Sequence, residues 1–435
     1  MIRQEAGKAR ESLFDQSTKN PRLSGVKASA TLSINELSKR LEAEGKEIFK
    51  LGFGQSPFPV PELLVEALRK NAHRKEYLPV KGLPKLREAV AEYYRSRLGL
   101  DADDDDIVIG PGSKELMFLL QLVRKGRVLI PSPSWVSYEP QCRLTGNEPV
   151  WLETEQRDGW RLDPLELERA CKEHTGGQKL LILNYPSNPT GTTLDPDRLK
   201  EIAKVARQHR VIILSDEIYG ELDHSGNHIS IARFYPEGTI VSTGLSKWCG
   251  AGGWRLGTFC IPKELREIGD MIGKVASETF SAVSAPIQYA GVDAFAYGQE
   301  IADYVEVTRS VLSAVGKETA DRLRSMGSRV AEPEGGFYLF PDFSTMRGQL
   351  EARDLRTSEQ LCKALLTETG VAALPGSEFG RPEMELSLRI AYVDFNGSEC
   401  LASLQKGAKP DLPWLREHCG RVINSIERIA GWVAK

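Results

Sequence analysis

Three apolar runs of similar length recur at regular intervals in the middle of the 435-residue chain. They are rich in Val, Ile and Leu, which is typical of strands that are buried on both faces of a parallel sheet. Successive runs begin about 30 residues apart, which is the length of one strand–helix–strand unit. The spacing therefore predicts parallel strands that are linked by helices. The runs span residues 180–183, 211–214 and 239–243.

A polar or charged residue follows each of these runs. Asn188, Asp216 and Lys247 come shortly after the first, second and third run, respectively. Parallel strands that are linked in this way end at the same edge of the sheet, and ligands bind at that edge. We therefore expect the three side chains to lie close together.

The length of the chain and the order of its predicted elements indicate two domains. We predict an α/β fold in which residues 61–309 form a large domain, built on a mostly parallel sheet flanked by helices. Residues 31–60 and 310–435 are expected to form a smaller α+β domain, and a long helix near 299–326 is expected to cross to it. Residues 1–30 are polar and are expected to form a loosely ordered arm.

The composition argues against several classes of protein. A net charge of −3 at pH 7 gives no reason to expect nucleic-acid binding. No apolar run reaches the length of a membrane span, and the first residues lack an apolar leader segment, so we expect a cytoplasmic protein. The seven cysteines are scattered without a Cys-x-x-Cys pair, and the six histidines lack metal-ligand spacing. Reduced thiols and no metal site are therefore expected.

The stretch that is most informative about chemistry is rich in glycine and carries two cations, Lys247 and Arg255. It follows the third strand-like run and is partly apolar. Burial in apolar surroundings lowers the pKa of a lysine, and a neutral lysine amine is a nucleophile that can form a Schiff base. For this stretch taken alone, a solvated lysine in a surface loop remains the alternative.

A second glycine-rich turn, at residues 110–112, precedes a nearly all-apolar helix that begins with Ser113 and Lys114. The exposed N–H groups at the N-terminus of such a helix form a site for a phosphate. An ordinary tight turn would have the same pattern. Trp135, after the next strand, offers an aromatic face for stacking, although an isolated tryptophan is usually a packing residue.

Several motifs occur in the order and at the spacing of one family. They are Asn188-Pro-Thr-Gly, Asp216-Glu-Ile-Tyr219, Ser246-Lys247 followed by Gly253-Trp-Arg255-Leu-Gly, and Arg389. Together these motifs resemble the class I/II aminotransferases, the aspartate aminotransferase family of fold type I. The resemblance covers roughly residues 30–400. It implies a seven-stranded-type sheet, a pyridoxal 5'-phosphate cofactor and a homodimer with two shared active sites.

The resemblance also implies roles for individual residues. Lys247 would form a Schiff base with the cofactor and later act as a general base. Asp216 would keep the pyridine nitrogen protonated, while Asn188 and Tyr219 would donate to the ring oxygen. Arg389 would hold the α-carboxylate of the substrate through a bidentate pair, which a lysine cannot copy.

Further residues complete the expected site. Trp135 would stack on the cofactor ring, and Gly54 resembles a glycine that lies near the substrate. Tyr77 resembles a residue that reaches into the phosphate site of the neighbouring subunit. Lys114 is a candidate for binding the distal carboxylate of an acidic substrate, because residues 277–290 offer no arginine for it. The expected phosphate ligands are Ser113, Lys114, Ser246 and Arg255.

The activity that follows is the transfer of an amino group between an amino acid and a 2-oxo acid, with aspartate and glutamate as candidate donors. A lyase or synthase of the same fold would use the same lysine, aspartate and arginine, and a specificity for alanine or aromatic donors stays open. An effector-binding domain of a transcription regulator would need an N-terminal helix-turn-helix. Only about 30 polar residues precede the fold, which is too few for one.

Overall fold

The computed structural model describes residues 20–23 and 30–435, so most of the predicted arm at 1–30 lies outside the described residues. Helices and strands alternate through the middle of the chain, and helices dominate toward its C-terminus. The strands are β1 (Phe49–Lys50), β2 (Ile107–Gly110), β3 (Gly126–Ser132), β4 (Glu148–Glu153), β5 (Gln178–Leu183), β6 (Ile212–Asp216), β7 (Thr239–Gly244), β8 (Gly257–Cys260), β9 (Tyr338–Leu339), β10 (Val371–Ala372), β11 (Leu374–Pro375) and β12 (Leu388–Ala391). The helices are α1 (Ala30–Ala43), α2 (Glu62–Asn71), α3 (Pro84–Tyr93), α4 (Ser113–Leu122), α5 (Tyr138–Leu144), α6 (Pro164–Glu173), α7 (Pro196–Gln208), α8 (Arg266–Ser277), α9 (Ala285–Phe295), α10 (Gln299–Ser325), α11 (Arg347–Glu351), α12 (Ser358–Ala364), α13 (Gly397–Gln405), α14 (Leu412–His418) and α15 (Gly420–Val433).

Strands β2 to β8 form one seven-stranded sheet in the order β2-β8-β7-β6-β5-β3-β4. The neighbours from β7 to β4 are all parallel, whereas β8 is antiparallel to both β7 and β2. The predicted α/β fold with a mostly parallel, seven-stranded sheet is therefore confirmed. The parallel neighbours β5, β6 and β7 are the three runs whose spacing predicted it.

Both faces of this sheet are buried, as the continuous apolar runs require. Along β5, Leu180 and Ile182 pack into the core on the side of α4 and α8, whereas Leu181 and Leu183 pack into the core beneath α6 and α7. Successive side chains of a strand point to opposite faces, so every residue of such a run contributes to one core or the other.

The two helices that cover one face of the sheet begin in the same way. Asp163 accepts a hydrogen bond from the backbone N–H of Leu165 at the start of α6, and Asp195 accepts one from the backbone N–H of Arg198 at the start of α7. A proline follows each aspartate at the first helical position, where no N–H is needed. These caps end the loops that leave the carboxyl ends of β4 and β5.

The N-terminal and C-terminal parts of the chain meet in two small sheets. β1 pairs in parallel with β10, and β12 lies between β11 and β9 in an antiparallel sheet. The long helix α10 agrees with the predicted helix near 299–326 and packs against α15. The domain limits at 31, 61 and 310 stay a prediction. No helix in the described residues is long and apolar enough to cross a membrane.

Candidate active site

A cavity of about 670 Å³ opens at the carboxyl edge of the large sheet. The ends of β6 and β7 and the start of α4 border it, and β9 and β12 of the small antiparallel sheet contribute one side chain each. Of the residues that the sequence singled out, eleven line this cavity and Tyr77 does not. The eleven are Gly54, Ser113, Lys114, Trp135, Asn188, Asp216, Tyr219, Ser246, Lys247, Arg255 and Arg389.

Lys247 lies in the loop that follows β7, and its side chain points into the cavity. Its Nζ donates a hydrogen bond to the carbonyl oxygen of Gly54 at 2.7 Å. The same nitrogen lies 5.7 Å from the ring centroid of Tyr219 and 5.6 Å from that of Phe337. The amine is therefore held by a neutral carbonyl and by aromatic faces rather than by a carboxylate, and it can be released at the cost of one hydrogen bond.

Asp216 is the last residue of β6 and is only 3% exposed. Its Oδ2 accepts a hydrogen bond from the Tyr138 hydroxyl at 2.5 Å, and its Oδ1 accepts a longer one from the backbone N–H of Ile218. Burial raises the pKa of Asp216 to about 7, although the hydrogen bond from Tyr138 opposes the shift. The charge of Lys247 also lowers the pKa of Asp216, but no basic side chain in the described residues forms an ion pair with this carboxylate. The site thus contains a buried acid without a directly paired base.

Arg389, on β12, is the opposite case: a buried base that forms no ion pair with an acid in the part of the chain that the structure describes. It is 4% exposed, and its guanidinium donates to Asn188 Oδ1 at 3.1 Å and to the carbonyl oxygen of Gly52 at 2.8 Å. Its Nε is buried without a hydrogen-bond partner in the described residues. Burial lowers the pKa of Arg389, yet an arginine side chain stays charged in a protein. An anion in the cavity would supply the missing partner.

Tyr219 and Tyr338 line the same cavity and contact each other. Their hydroxyl oxygens lie 2.9 Å apart, and both side chains are buried. A Cβ on Gly54 would come within 1.9 Å of the Tyr338 hydroxyl oxygen, so a side chain at position 54 would have to displace this tyrosine. The close approach explains why a glycine occupies the position.

The N-terminus of α4 forms a cationic corner of the cavity. Gly112 precedes the helix with a φ of +87°, and a Cβ there would lie 2.1 Å from Arg255 Nη2. Arg255 Nη1 donates to the carbonyl oxygen of Gly252 at 2.9 Å. Reduced hydration lowers the pKa of Lys114, and the charges of Arg255 and Lys247 lower it further. Three cations and a helix N-terminus together favour an anion at this corner.

Trp135 is half-buried beside Lys114, whose Nζ lies 4.8 Å from the tryptophan ring centroid. The Trp135 and Tyr138 rings meet edge to face, with centroids 5.1 Å apart. Tyr77 is 94% exposed and lies outside the cavity.

The sequence analysis missed Tyr138, which contacts Asp216, and Tyr338, which contacts Tyr219. A tyrosine three residues after Trp135 gave no signal, since only the tertiary fold brings it to the end of β6.

Comparison with known proteins places this geometry in a family. The family model described as aminotransferase class I and II matches residues 46–400. The aspartate aminotransferase of Geobacillus stearothermophilus is 34% identical, and the match covers 86% of this chain and 93% of that protein. The asparagine–oxo-acid transaminase of Streptococcus mutans is 33% identical, with 85% and 93% covered. The structure of the aspartate aminotransferase from Thermus thermophilus with maleate superposes with a TM-score of 0.81 at 28% identity, covering 95% of this chain and 98% of that one.

Proposed function

Because the chain belongs to the class I and II aminotransferases and is a pyridoxal-phosphate-dependent transaminase, we propose that it moves the amino group of an acidic amino acid to a 2-oxo acid, with Lys247 at the reaction centre. The observation that carries the amino-acid substrate is the buried cation of Arg389, which forms no ion pair with an acid in the described residues and lines the same cavity as Lys247; the choice of an acidic donor rests on Lys114. An unpaired buried charge costs several kcal/mol, so the cavity favours a ligand that carries a carboxylate.

The residues of the cavity fit the cofactor. When bound, pyridoxal phosphate offers an aldehyde carbon to an amine, and its protonated ring withdraws electrons from the bond that is broken. Asp216, a buried acid without a counterion, would face the ring nitrogen and retain the proton there. Ser113 at the N-terminus of α4, with Ser246 and Arg255, would bind the phosphate.

Other side chains would orient the ring. Asn188 uses its Oδ1 to accept from Arg389, which leaves its amide N–H groups for a ligand oxygen. Tyr219 can donate its hydroxyl proton to the same ligand oxygen while it accepts from Tyr338. Trp135 would pack against a ring face, held in place by its edge contact with Tyr138.

Lys247 would act at two stages of the reaction. Its amine is the nucleophile that would attach the cofactor to the protein, and binding of the substrate would free it again. The freed amine would then act as the general base that takes the proton from the substrate Cα, and it would return that proton from the same face of the substrate. Arg389 would meanwhile hold the α-carboxylate with two parallel hydrogen bonds, which fixes the Cα within reach of Lys247.

Lys114 is our candidate for the specificity toward acidic substrates. Its ammonium lines the cavity beside Trp135, and residues 277–290 carry no arginine that could bind a second carboxylate. Similar proteins named aspartate aminotransferases support an acidic donor. If Lys114 binds only the phosphate, the choice of donor would rest on other residues.

A panel of amino donors tests the proposal, measured with 2-oxoglutarate and pyruvate as acceptors. In Lys114→Ala, kcat/KM for aspartate and glutamate should fall about 10- to 1,000-fold, the scale of one charge-assisted hydrogen bond, while alanine and aromatic donors lose far less. Lys125→Ala, an exposed lysine just beyond the other end of α4, is the matched control and should change none of them. An equal loss for all donors would assign Lys114 to the cofactor and refute its role in specificity.

We further propose a homodimer in which Tyr77 of one subunit completes the site of the other. The 94% exposure of Tyr77 and its position outside the cavity of its own chain support this assignment. Subunit complementation tests it, because a mixed dimer of Tyr77→Ala and Lys247→Ala subunits contains one intact site only if the sites are shared. Activity that rises on mixing the two weakly active variants is expected, and no rise would contradict the shared site.

Reduced thiols support a cytoplasmic location. All seven cysteines are free and buried, and unpaired thiols are typical of reducing compartments. Fractionation of the native host cells, with the activity measured in each fraction, tests this location.

A further inference from the structure

A second buried acid follows Asp216 directly in the chain. Glu217 is 4% exposed, and its Oε1 accepts hydrogen bonds from the hydroxyls of Ser215 at 2.7 Å and Ser230 at 2.6 Å. Its Oε2 lies 2.8 Å from His228 Nε2. Glu217 and His228 line a separate cavity of about 310 Å³ and not the cavity that contains the reaction centre. The transaminase reaction therefore gives the cluster no direct task.

The charge of Glu217 requires a counterion, because two neutral hydroxyls do not compensate a buried carboxylate. In the part of the chain that the structure describes, His228 is the one side chain that forms an ion pair with it. Burial alone would lower the pKa of His228, but the charge of Glu217, reinforced by Asp223 and Glu221, raises it above its ordinary value. These contacts favour the imidazolium form.

The other charged groups around this second cavity do not replace His228. Arg97 forms an ion pair with Glu221 at 3.0 Å. Arg233 and Arg309 also line the cavity, but neither forms an ion pair with Glu217. In the described residues, the charge of Glu217, which follows Asp216 in the chain, is therefore balanced by one histidine.

We propose that His228 is a positioning residue whose positive charge balances Glu217 and so lets the neighbouring Asp216 carry the negative charge that stabilises the cofactor nitrogen. The inference rests on the proposed function, because it concerns the role assigned there to Asp216. The charge of Glu217 raises the pKa of Asp216. Without a counterion on Glu217, Asp216 would be held in its neutral form, which cannot stabilise a cation.

Binding of pyridoxal phosphate to the apoenzyme tests the proposal with three variants. His228→Gln keeps an N–H donor for Glu217 but removes the charge. We expect it to weaken cofactor binding about tenfold, because the uncompensated charge of Glu217 would favour the neutral form of Asp216. Glu217→Gln alone, and Glu217→Gln combined with His228→Gln, should stay within about threefold of wild type, since both remove the uncompensated acid. A double variant that binds as weakly as His228→Gln would show a purely structural role and overturn the proposal.

A second measurement begins with the wild-type protein, so its deciding outcome does not depend on how well a variant folds. In the wild-type apoenzyme, an NMR titration of His228 with labelled histidine should show a protonated ring at pH 7. A neutral ring at that pH would overturn the proposal. Glu217→Gln should shift the His228 titration to lower pH.

The two proposals fail in different ways. In an Asp216→Asn background, His228→Gln should weaken cofactor binding no further, because the acid that it supports is gone. A further tenfold loss would overturn the coupling. If Asp216→Asn itself leaves binding and turnover unchanged, the role of Asp216 in the proposed function is wrong. If Asp216→Asn lowers both while His228→Gln has no effect, only the role of His228 is wrong.

Discussion

Replacing Asp216 by asparagine in the apoenzyme isolates the electrostatic cost of the buried acid. The substitution keeps the size of the side chain and one acceptor oxygen for the Tyr138 hydroxyl, but it removes the titratable group. In the wild type, burial raises the pKa of Asp216 from 3.8 to about 7. Folding therefore favours the protonated acid, and ionisation of Asp216 works against the folded state.

The sign and size of the effect follow from linkage. An acid whose pKa is higher in the folded state contributes stability that is fully present below about pH 4 and is lost as the pH rises to about 7. A shift of about three units at 1.36 kcal/mol per unit gives about 4 kcal/mol of lost stability in total. The asparagine variant has no such loss. Because the acid is about half ionised in the unfolded state at pH 4 and in the folded state at pH 7, the wild-type apoenzyme should become about 3 kcal/mol less stable than the variant between these two pH values.

Urea unfolding of both apoenzymes, monitored by circular dichroism at several pH values in this range, measures the difference. The matched control is Asp293→Asn, the same chemical change at an exposed position on α9. It should leave the pH dependence of wild type almost unchanged. A difference between wild type and Asp216→Asn that stays constant from pH 4 to pH 7 would refute the argument that burial without a counterion dominates this carboxyl group.

Three further substitutions test the other groups of the site. Lys247→Ala should lower turnover by about 10⁴-fold or more with the fold intact by circular dichroism, since it removes the residue that we propose as both nucleophile and base. A cofactor linkage that borohydride still reduces onto the protein would contradict this. Arg389→Lys should lower kcat/KM about 10- to 150-fold for every amino donor, because one of two parallel hydrogen bonds is lost; a loss confined to acidic donors would move Arg389 to the distal carboxylate. Tyr138→Phe removes the donor that lowers the pKa of Asp216. Because the neutral acid is then favoured, the cofactor dissociation constant should rise about 10- to 100-fold. An unchanged constant by fluorescence titration would show that this hydrogen bond is irrelevant to binding.

The central part of the fold was predictable because covalent connectivity determines it. Apolar runs at about 30-residue spacing fix β5, β6 and β7 as parallel neighbours, and the residues after them then meet at one edge. β8 was not predicted, because a four-residue strand in a glycine-rich stretch has no periodicity of its own. Its antiparallel direction follows from the loop at residues 245–256, which contains Lys247 and returns the chain beside β7.

Contacts between distant elements could not be read from the sequence. The hydrogen bond from Tyr138 to Asp216 joins α5 to β6, and the contact between Tyr219 and Tyr338 joins residues 119 positions apart. Nothing in the local pattern distinguishes these tyrosines from the other tyrosines of the core. The roles of the cavity residues stay a prediction, as do the domain limits and the role of Tyr77, which concerns a partner subunit.

The two unbalanced charges of the cavity define the ligand that it favours. Asp216 and Arg389 are both buried and line one cavity, yet they do not pair with each other: neutral groups hold each of them, the Tyr138 hydroxyl for the acid and the Asn188 and Gly52 oxygens for the base. A direct ion pair between them would offset part of the desolvation cost of each group. Because Asp216 and Arg389 lie on separate sheets and do not pair, the fold lacks this contribution to stability. A ligand regains it only if it brings a cation to Asp216 and an anion to Arg389 at once. In the proposed function, the protonated ring nitrogen of the cofactor and the carboxylate of the amino acid would be these two groups.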